Sequence, residues 1–299
     1  MSRPNQNLGY LLAFGAAATG AVRFNIAVWA KTRHDFDYSW FLAGALVVGL
    51  AASGAHVLRT EGAGGFRPLR GRLHHALLYG LLMGWSTLAH FLALEHLNET
   101  AMASIAQTSI LVSLGLAAIL LGERLTRWEW IAASVILLGM FIFRPWEAGN
   151  RTGFAILMSG VVSGSLASVG AKVWVQGTPP SVLMVWRNAI ALVIVVAYAL
   201  QTDRPLPDVT IATAVACAAS GLLGNYLHGL FFLMALQHIA ASRASLMNRV
   251  EPVVVFLVSW IFLSRVPDTE DLVSAALLTV GAFLLVYARP KARARKSQA

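Results

Sequence analysis

Tyr79, Met83, Ser86 and His90 follow one another at intervals of four, three and four residues. Gly221, Asn225, His228 and Phe232 repeat those intervals 142 positions further on. Such spacing puts each quartet on one face of a helix. The chemistry these faces could do is recognition rather than bond breaking. They offer aromatic and apolar surface for a large apolar group, with His90, Asn225 and His228 to orient a polar end. A phosphorylated ligand would need more cations. Ionisable residues also stand in apolar sequence: Arg187, Arg249 and Glu251 are the candidates for gating or coupling. Asn248, three residues before Glu251, shares its face. Pro252 removes a helix hydrogen bond and favours a kink. Glu251 is the one carboxylate expected inside an apolar run, so it must be paired or protonated. A structural pair with Arg187 or another basic group is preferred over proton coupling.

Catalysis has little support. No Ser-x-x-Lys or His-Glu-x-x-His pattern occurs, and His74 and His75 are adjacent, so on a helix they diverge by about 100°. The single cysteine, Cys217, excludes an internal disulfide and a cysteine-rich metal site. No metal or cofactor is expected. An integral membrane enzyme remains a distant alternative.

The elements that must position these residues are membrane spans. The chain is 57% hydrophobic and 12% charged, about half the charge of an ordinary soluble domain. A bilayer-spanning helix needs roughly 20 mainly apolar residues. Ten apolar runs meet or approach that need, at 8–30, 38–58, 73–94, 99–121, 128–144, 152–174, 181–200, 209–236, 242–263 and 271–288. The first is longer than a signal-peptide core and is expected to be a retained span. The net charge of +9 gathers beside the spans rather than in a nucleic-acid-binding patch. With the N-terminus inside, the inner segments hold Arg3, Arg59, Arg67, Arg70, Arg72, Arg124, Arg127, Lys172, Arg243 and the basic tail from Arg289 to Lys296. The outer segments hold only Lys31, Arg33, Arg144, Arg151, Arg204 and Arg265. Both termini are therefore expected in the cytoplasm.

An internal repeat is also legible. Ala-Leu-x-His occurs at Ala93–His96 and again at Ala235–His238. At the same offset Leu121 meets Leu263, Gly139 meets Gly281 and Phe141 meets Phe283. A second alignment places Gly9–Tyr10 over Gly153–Phe154. The chain therefore divides into two halves, 1–145 and 146–299, each of five spans. Because five is odd, the halves must enter the membrane in opposite directions. The loops agree: Glu95 and Glu99 flank the end of one copy of the phrase, and Arg243 comes after the other. Inverted repeats of this kind are characteristic of secondary transporters. The fold expected is an all-α integral membrane protein of ten transmembrane helices in two inverted five-helix repeats.

Several stretches carry a resemblance: "LGERLTRWEWI" at 121–131, "SGSLASVGAK" at 163–172, "LMVWRNAIAL" around Arg187, "FLALEH" with "FLMALQH", and "VEPVVVFL" at 250–257. The chain resembles the ten-span EamA-type exporters of the drug/metabolite transporter superfamily over nearly its whole length. Within them it is most similar to the aromatic and hydrophobic amino acid exporters of the YddG type. The second half departs from the pattern, with Ser-Arg-Val in place of Gly-Glu-Arg and Pro252 where the first half has Ile110. The resemblance implies export of aromatic or other hydrophobic amino acids across the cytoplasmic (inner) membrane by alternating access, as a uniporter. The partners implied are the small-molecule substrate and the lipid bilayer, not nucleic acid, and the chain is expected to be a monomer. A proton-coupled multidrug antiporter is the closest rival, and nothing resembles the filter of a channel.

Overall fold

The computed structural model describes residues 6–66, 73–98, 101–102, 105–121, 127–142, 151–174, 178–239, 251–263 and 269–288. Among these residues there is no strand. The longer helices are α1 (Gln6–His34), α2 (Tyr38–Thr60), α3 (Leu73–Ala93), α4 (Ser109–Leu121), α5 (Arg127–Ile142), α6 (Arg151–Trp174), α7 (Pro180–Gln201), α8 (Ile211–His238), α9 (Glu251–Leu263) and α10 (Thr269–Ala288). Six of them, α1, α2, α3, α6, α7 and α8, are long and apolar enough to cross a membrane. The other four border residues outside the description.

Local sequence explains where these helices begin. The Asp37 carboxylate caps α2 by accepting from the Ser39 and Trp40 amides at 2.8 and 3.3 Å. Pro180 opens α7 at the first helical position, where its missing N–H costs nothing. Thr210 and Thr213 form a reciprocal capping box at the start of α8. Between its ends α8 is not uniform: Gly221–Leu227 is wound as a π-helix.

The packing has a two-fold pattern. Helix α1 lies along α8, and α6 lies along α3. Helix α2 meets α8, and α7 meets α3. Helix α1 touches α9, and α6 touches α4, while α2 packs on α7 and α5 on α10. Exchanging α1–α5 for α6–α10 converts each of these contacts into another of them. Individual residues obey the same exchange. A Cβ on Gly9 would lie 2.6 Å from Ile239 and 2.9 Å from the His238 Cβ; one on Gly153 would lie 2.7 Å from the His96 Cβ and 2.9 Å from Leu97. The two histidines of the doubled phrase thus press on the two glycines of the second alignment. Likewise Ser274 donates to the Gly139 carbonyl at 2.6 Å, and a Cβ on Gly281 would meet the Ala132 carbonyl at 3.1 Å. The apolar core fills the space among α1, α2, α3, α6 and α7 with Phe24, Phe41, Leu46, Leu88, Phe91 and Leu157. Leu11, Ile119, Val193 and Ile261 remain exposed, as lipid-facing side chains must.

One polar cluster ties three connections together at the end of the bundle that holds the α1–α2 and α7–α8 links. The Arg204 guanidinium reaches Glu95 with Nη1 at 3.0 Å and Nη2 at 3.1 Å, and Asp37 with Nη1 at 3.3 Å. The Trp40 indole donates to the Arg204 carbonyl at 3.3 Å. The Tyr198 hydroxyl at 3.4 Å, then Glu95, holds the guanidinium above its already high ordinary pKa, so it stays charged. These groups are partly solvated, which screens them. Arg204→Gln is therefore expected to lower stability by only about 0.5–1.5 kcal/mol. Thermal melts at low and high salt would show it, with the difference shrinking as salt rises. A salt-independent loss of several kcal/mol would contradict this account.

Candidate functional site

The first quartet sits where α3 meets α6, α7 and α1. Tyr79 is buried with Ala167, Ala171, Leu183 and Met184, and Met83 packs beside that cluster. Ser86 is buried, and its hydroxyl stands 2.6 Å from where a Gly164 Cβ would be. His90 Nδ1 lies 2.6 Å from the Ser86 carbonyl, to which it can donate. The imidazole stacks on Phe24 at 6.2 Å, and Phe24 in turn meets Phe91 at 5.6 Å. Two core aromatic rings therefore lie beside a hydrogen-bonding imidazole. Gly160 and Gly164 let α6 come close enough to touch Ser86 and His90.

His228 occupies the corresponding place on α8. Its Nδ1 is 2.8 Å from the Ala16 carbonyl of α1, and a Cβ on Gly20 would lie 2.5 Å from the same nitrogen. Gly20 and Gly164 differ by the same 144 residues as Gly9 and Gly153, and Ser86 and His228 differ by 142. So Ser86 on Gly164 and His228 on Gly20 are equivalent contacts. Phe232 packs with Ala13 and Tyr10, further along α1.

The structure corrects the other half of that quartet. Gly221 and Asn225 do not share the face of His228. Gly221 abuts Ala45 and Val48 of α2, and the Asn225 Cβ lies 2.9 Å from where a Gly49 Cβ would be, also on α2. The reason is the π segment. It adds one residue to the turn, so the helix on its N-terminal side is rotated relative to the helix on its C-terminal side. With a one-residue gap there, Gly80 corresponds to Gly221 and Gly84 to Asn225. Those pairs do face equivalent neighbours, because Gly80 and Gly84 abut Ile190, Ala191 and Ile194 of α7. A 3.6-residue period carried without a gap cannot reveal such an insertion.

The ionisable residues fall into two places. Arg187 is 2% exposed. Its Nη1 lies 3.7 Å from the Met184 sulfur and against Gly229, within electrostatic range of Tyr79. It is not beside Glu251. Glu251 starts the described part of α9 and brings Oε1 within 3.3 Å of where a Gly20 Cβ would be, next to His228. Arg23 lies within its electrostatic range. Of the basic groups considered as structural partners for Glu251, Arg187 or another, Arg23 is one that stands within this range. Pro252 lies in the first turn of the described α9; the carbonyl it would leave unbonded, four residues back, lies outside the described residues, as do Asn248 and Arg249.

Arg23 and Asn188 are the residues that sequence reading missed. Arg23 reads as a residue near the end of an apolar run. Helix α1 in fact continues to His34, because Lys31, Arg33 and His34 suit a helix C-terminus. That leaves Arg23 eleven residues inside, or about 16 Å from the end. Asn188 is 0% exposed and neighbours Arg187 in sequence. Its Nδ2 approaches Gly49 opposite Asn225. Two adjacent polar residues in "VWRNAIAL" were the available signal.

No curated protein matches the chain. Among the solved structures that match, a crystal structure of a protein superposes with a TM-score of 0.69 at 19% identity, covering 97% of this chain and 100% of that one, a likeness that shows the fold alone. A family model described as the EamA-like transporter family matches twice, at residues 7–144 and 151–287. The two matches leave little of the chain uncovered. With six helices long and apolar enough to span a bilayer, the chain is a multi-pass membrane protein and belongs to the EamA-like transporter family, whose members move small solutes across membranes.

Proposed function

We propose that the chain exports aromatic and other hydrophobic amino acids across the cytoplasmic membrane by alternating access, as a uniporter. The reading includes ten spans arranged as two inverted five-helix repeats, 1–145 and 146–299, with both termini cytoplasmic. The observation that carries it is the equivalence of the contacts made by the two halves. Gly9 with His238 answers Gly153 with His96, and Gly20 with His228 answers Gly164 with Ser86. A two-fold relation of this kind gives a carrier two similar gates around one centre. The His90 imidazole, stacked on Phe24 and partly exposed, supports an aromatic substrate, since offset and stacked rings add to burial.

One observation favours a second reading, a proton-coupled multidrug antiporter. The Glu251 carboxylate lies beside Gly20 and His228. Counterflow in proteoliposomes separates the two. Saturable uptake of radiolabelled tryptophan or phenylalanine, with none of ethidium or tetraphenylphosphonium and no dependence on a pH gradient, is the result expected. Cation uptake driven by a pH gradient, and lost with that drive in Glu251→Gln, would replace amino acid export by drug antiport.

A further inference from the structure

Helix α1 carries a cation, Arg23, for which the described residues supply no ion pair. Arg23 leaves α1 with its aliphatic stem clamped against α8. A Cβ on Gly224 would lie 2.6 Å from the Arg23 Cβ and 2.7 Å from its Cδ, so nothing larger than glycine leaves the stem its path. That clamp fixes where the guanidinium can point. The guanidinium carbon lies 4.4 Å from the centroid of the Phe24 ring. Its Nε is shielded from solvent and has no hydrogen-bond partner. Among the described residues, no carboxylate stands within ion-pairing distance of it. Glu251, His90, His228 and Arg187 all lie within electrostatic range.

Burying a guanidinium without a counter-charge is costly, and evolution can hold such a group only where something else satisfies it. Arginine presents a planar fork of donors that matches a carboxylate with two parallel hydrogen bonds. We propose that Arg23 is the anchor for a carboxylate on the transported molecule. Glu251 supplies the complementary pole. It approaches α1 at Gly20, three residues or about 4.5 Å along the axis from Arg23. An α-amino acid carries its carboxylate and ammonium on one carbon, a separation that suits two poles one helical turn apart. His90, partly exposed and stacked on Phe24, lies beside this pair. This assignment deepens the transporter reading and rests on it. It also gives a reason for a carrier of this design to refuse organic cations: without a carboxylate of their own to pair with Arg23, they meet its positive charge.

The test uses purified full-length protein and four indole compounds that differ only at the polar end. Tryptophan has both charges, indole-3-propionate only the carboxylate, tryptamine only the ammonium, and tryptophan amide lacks the carboxylate. Competition against radiolabelled tryptophan and ligand-induced thermal shifts are both read. Tryptophan and indole-3-propionate are expected to bind, and tryptamine and the amide are not. Arg23→Gln is expected to weaken both carboxylates about 10- to 100-fold, the loss of a charge-assisted hydrogen-bonded pair. Arg23→Lys keeps the charge but loses the fork, so its loss is smaller. Should Arg23→Gln fail to fold, Arg23→Lys and the wild-type ligand series still decide. Tryptamine binding as tightly as tryptophan, carboxylate affinity in Arg23→Gln within twofold of wild type, or no carboxylate binding at all would each overturn the anchor. Arg23-dependent binding of carboxylates by a protein that shows no tryptophan counterflow would uphold the anchor and remove amino acid export.

Discussion

Replacing Gly221 by alanine is expected to destabilise the protein by about 3 kcal/mol or more, the upper end of what overpacking costs. The added methyl would press into the Ala45 carbonyl well inside van der Waals contact and would sit 2.8 Å from the Val48 Cβ. Neither obstacle can swing aside, because one is backbone and the other is the root of a β-branched side chain. The only relief is to push α8 away from α2. Gly49 stands on the opposite side of the same contact, 3.4 Å from its would-be Cβ to the Gly221 carbonyl, so the two backbones approach each other without side chains between them. Separation here would also disturb the π segment that begins at Gly221. Gly115 in α4 is the control. Among the described residues nothing lies within 4 Å of its would-be Cβ, so Gly115→Ala should instead gain roughly 0.5–1 kcal/mol from helix propensity. Thermal midpoints of the two variants in detergent should therefore move in opposite directions. Equal shifts would show that the α2–α8 approach is looser than this geometry requires.

The contrast between these glycines shows what a sequence can and cannot disclose. Apolar run length located α2, α3, α6 and α7 to within two residues at either end, because a bilayer imposes its thickness directly on composition. The repeat was legible too, since the same packing problem is solved twice and leaves Gly9 and Gly153, or Gly139 and Gly281, in matching places. The quartet Tyr79, Met83, Ser86 and His90 was found by periodicity, and the structure keeps Ser86 and His90 together on the α6 side. The second quartet failed at Gly221 and Asn225. A π turn changes the period locally, and neither its existence nor its position can be read from apolar spacing. Arg23 was misplaced for a different reason. Its meaning depends on Gly224 and Glu251, which reach it from two other helices. Partners chosen by tertiary approach leave no trace in the spacing along one helix.

Asn188→Leu is expected to raise thermal stability while slowing transport at least about tenfold. Asn188 is fully buried, and both Nδ2 and Oδ1 lack a hydrogen-bond partner; the Oδ1 of Asn225 and the Oγ of Ser220 are in the same position. All three residues belong to the contact of α7 and α8 with α2 around the π segment. A buried polar atom without a partner costs about 1–3 kcal/mol. Leucine has the same branching and no polar atom, so the substitution should recover about 1–3 kcal/mol, a rise on the order of a few degrees. Asn188→Ala removes the same polar atoms but leaves a void, and should not be stabilised to that extent. A cost retained at this junction has a physical explanation if the carboxamides find partners once α7 and α8 shift on α2. The state seen here would then be held above its own minimum, lowering the barrier to the other. Leucine would stabilise one arrangement and forfeit the pairing in the second. Counterflow rates and melting midpoints measured on the same preparation check both halves of the expectation. A variant that is less stable and transports normally would assign Asn188 to packing alone. One that is more stable and transports slowly would locate the transition between states at the α2–α7–α8 junction, beside the residues proposed to hold the substrate.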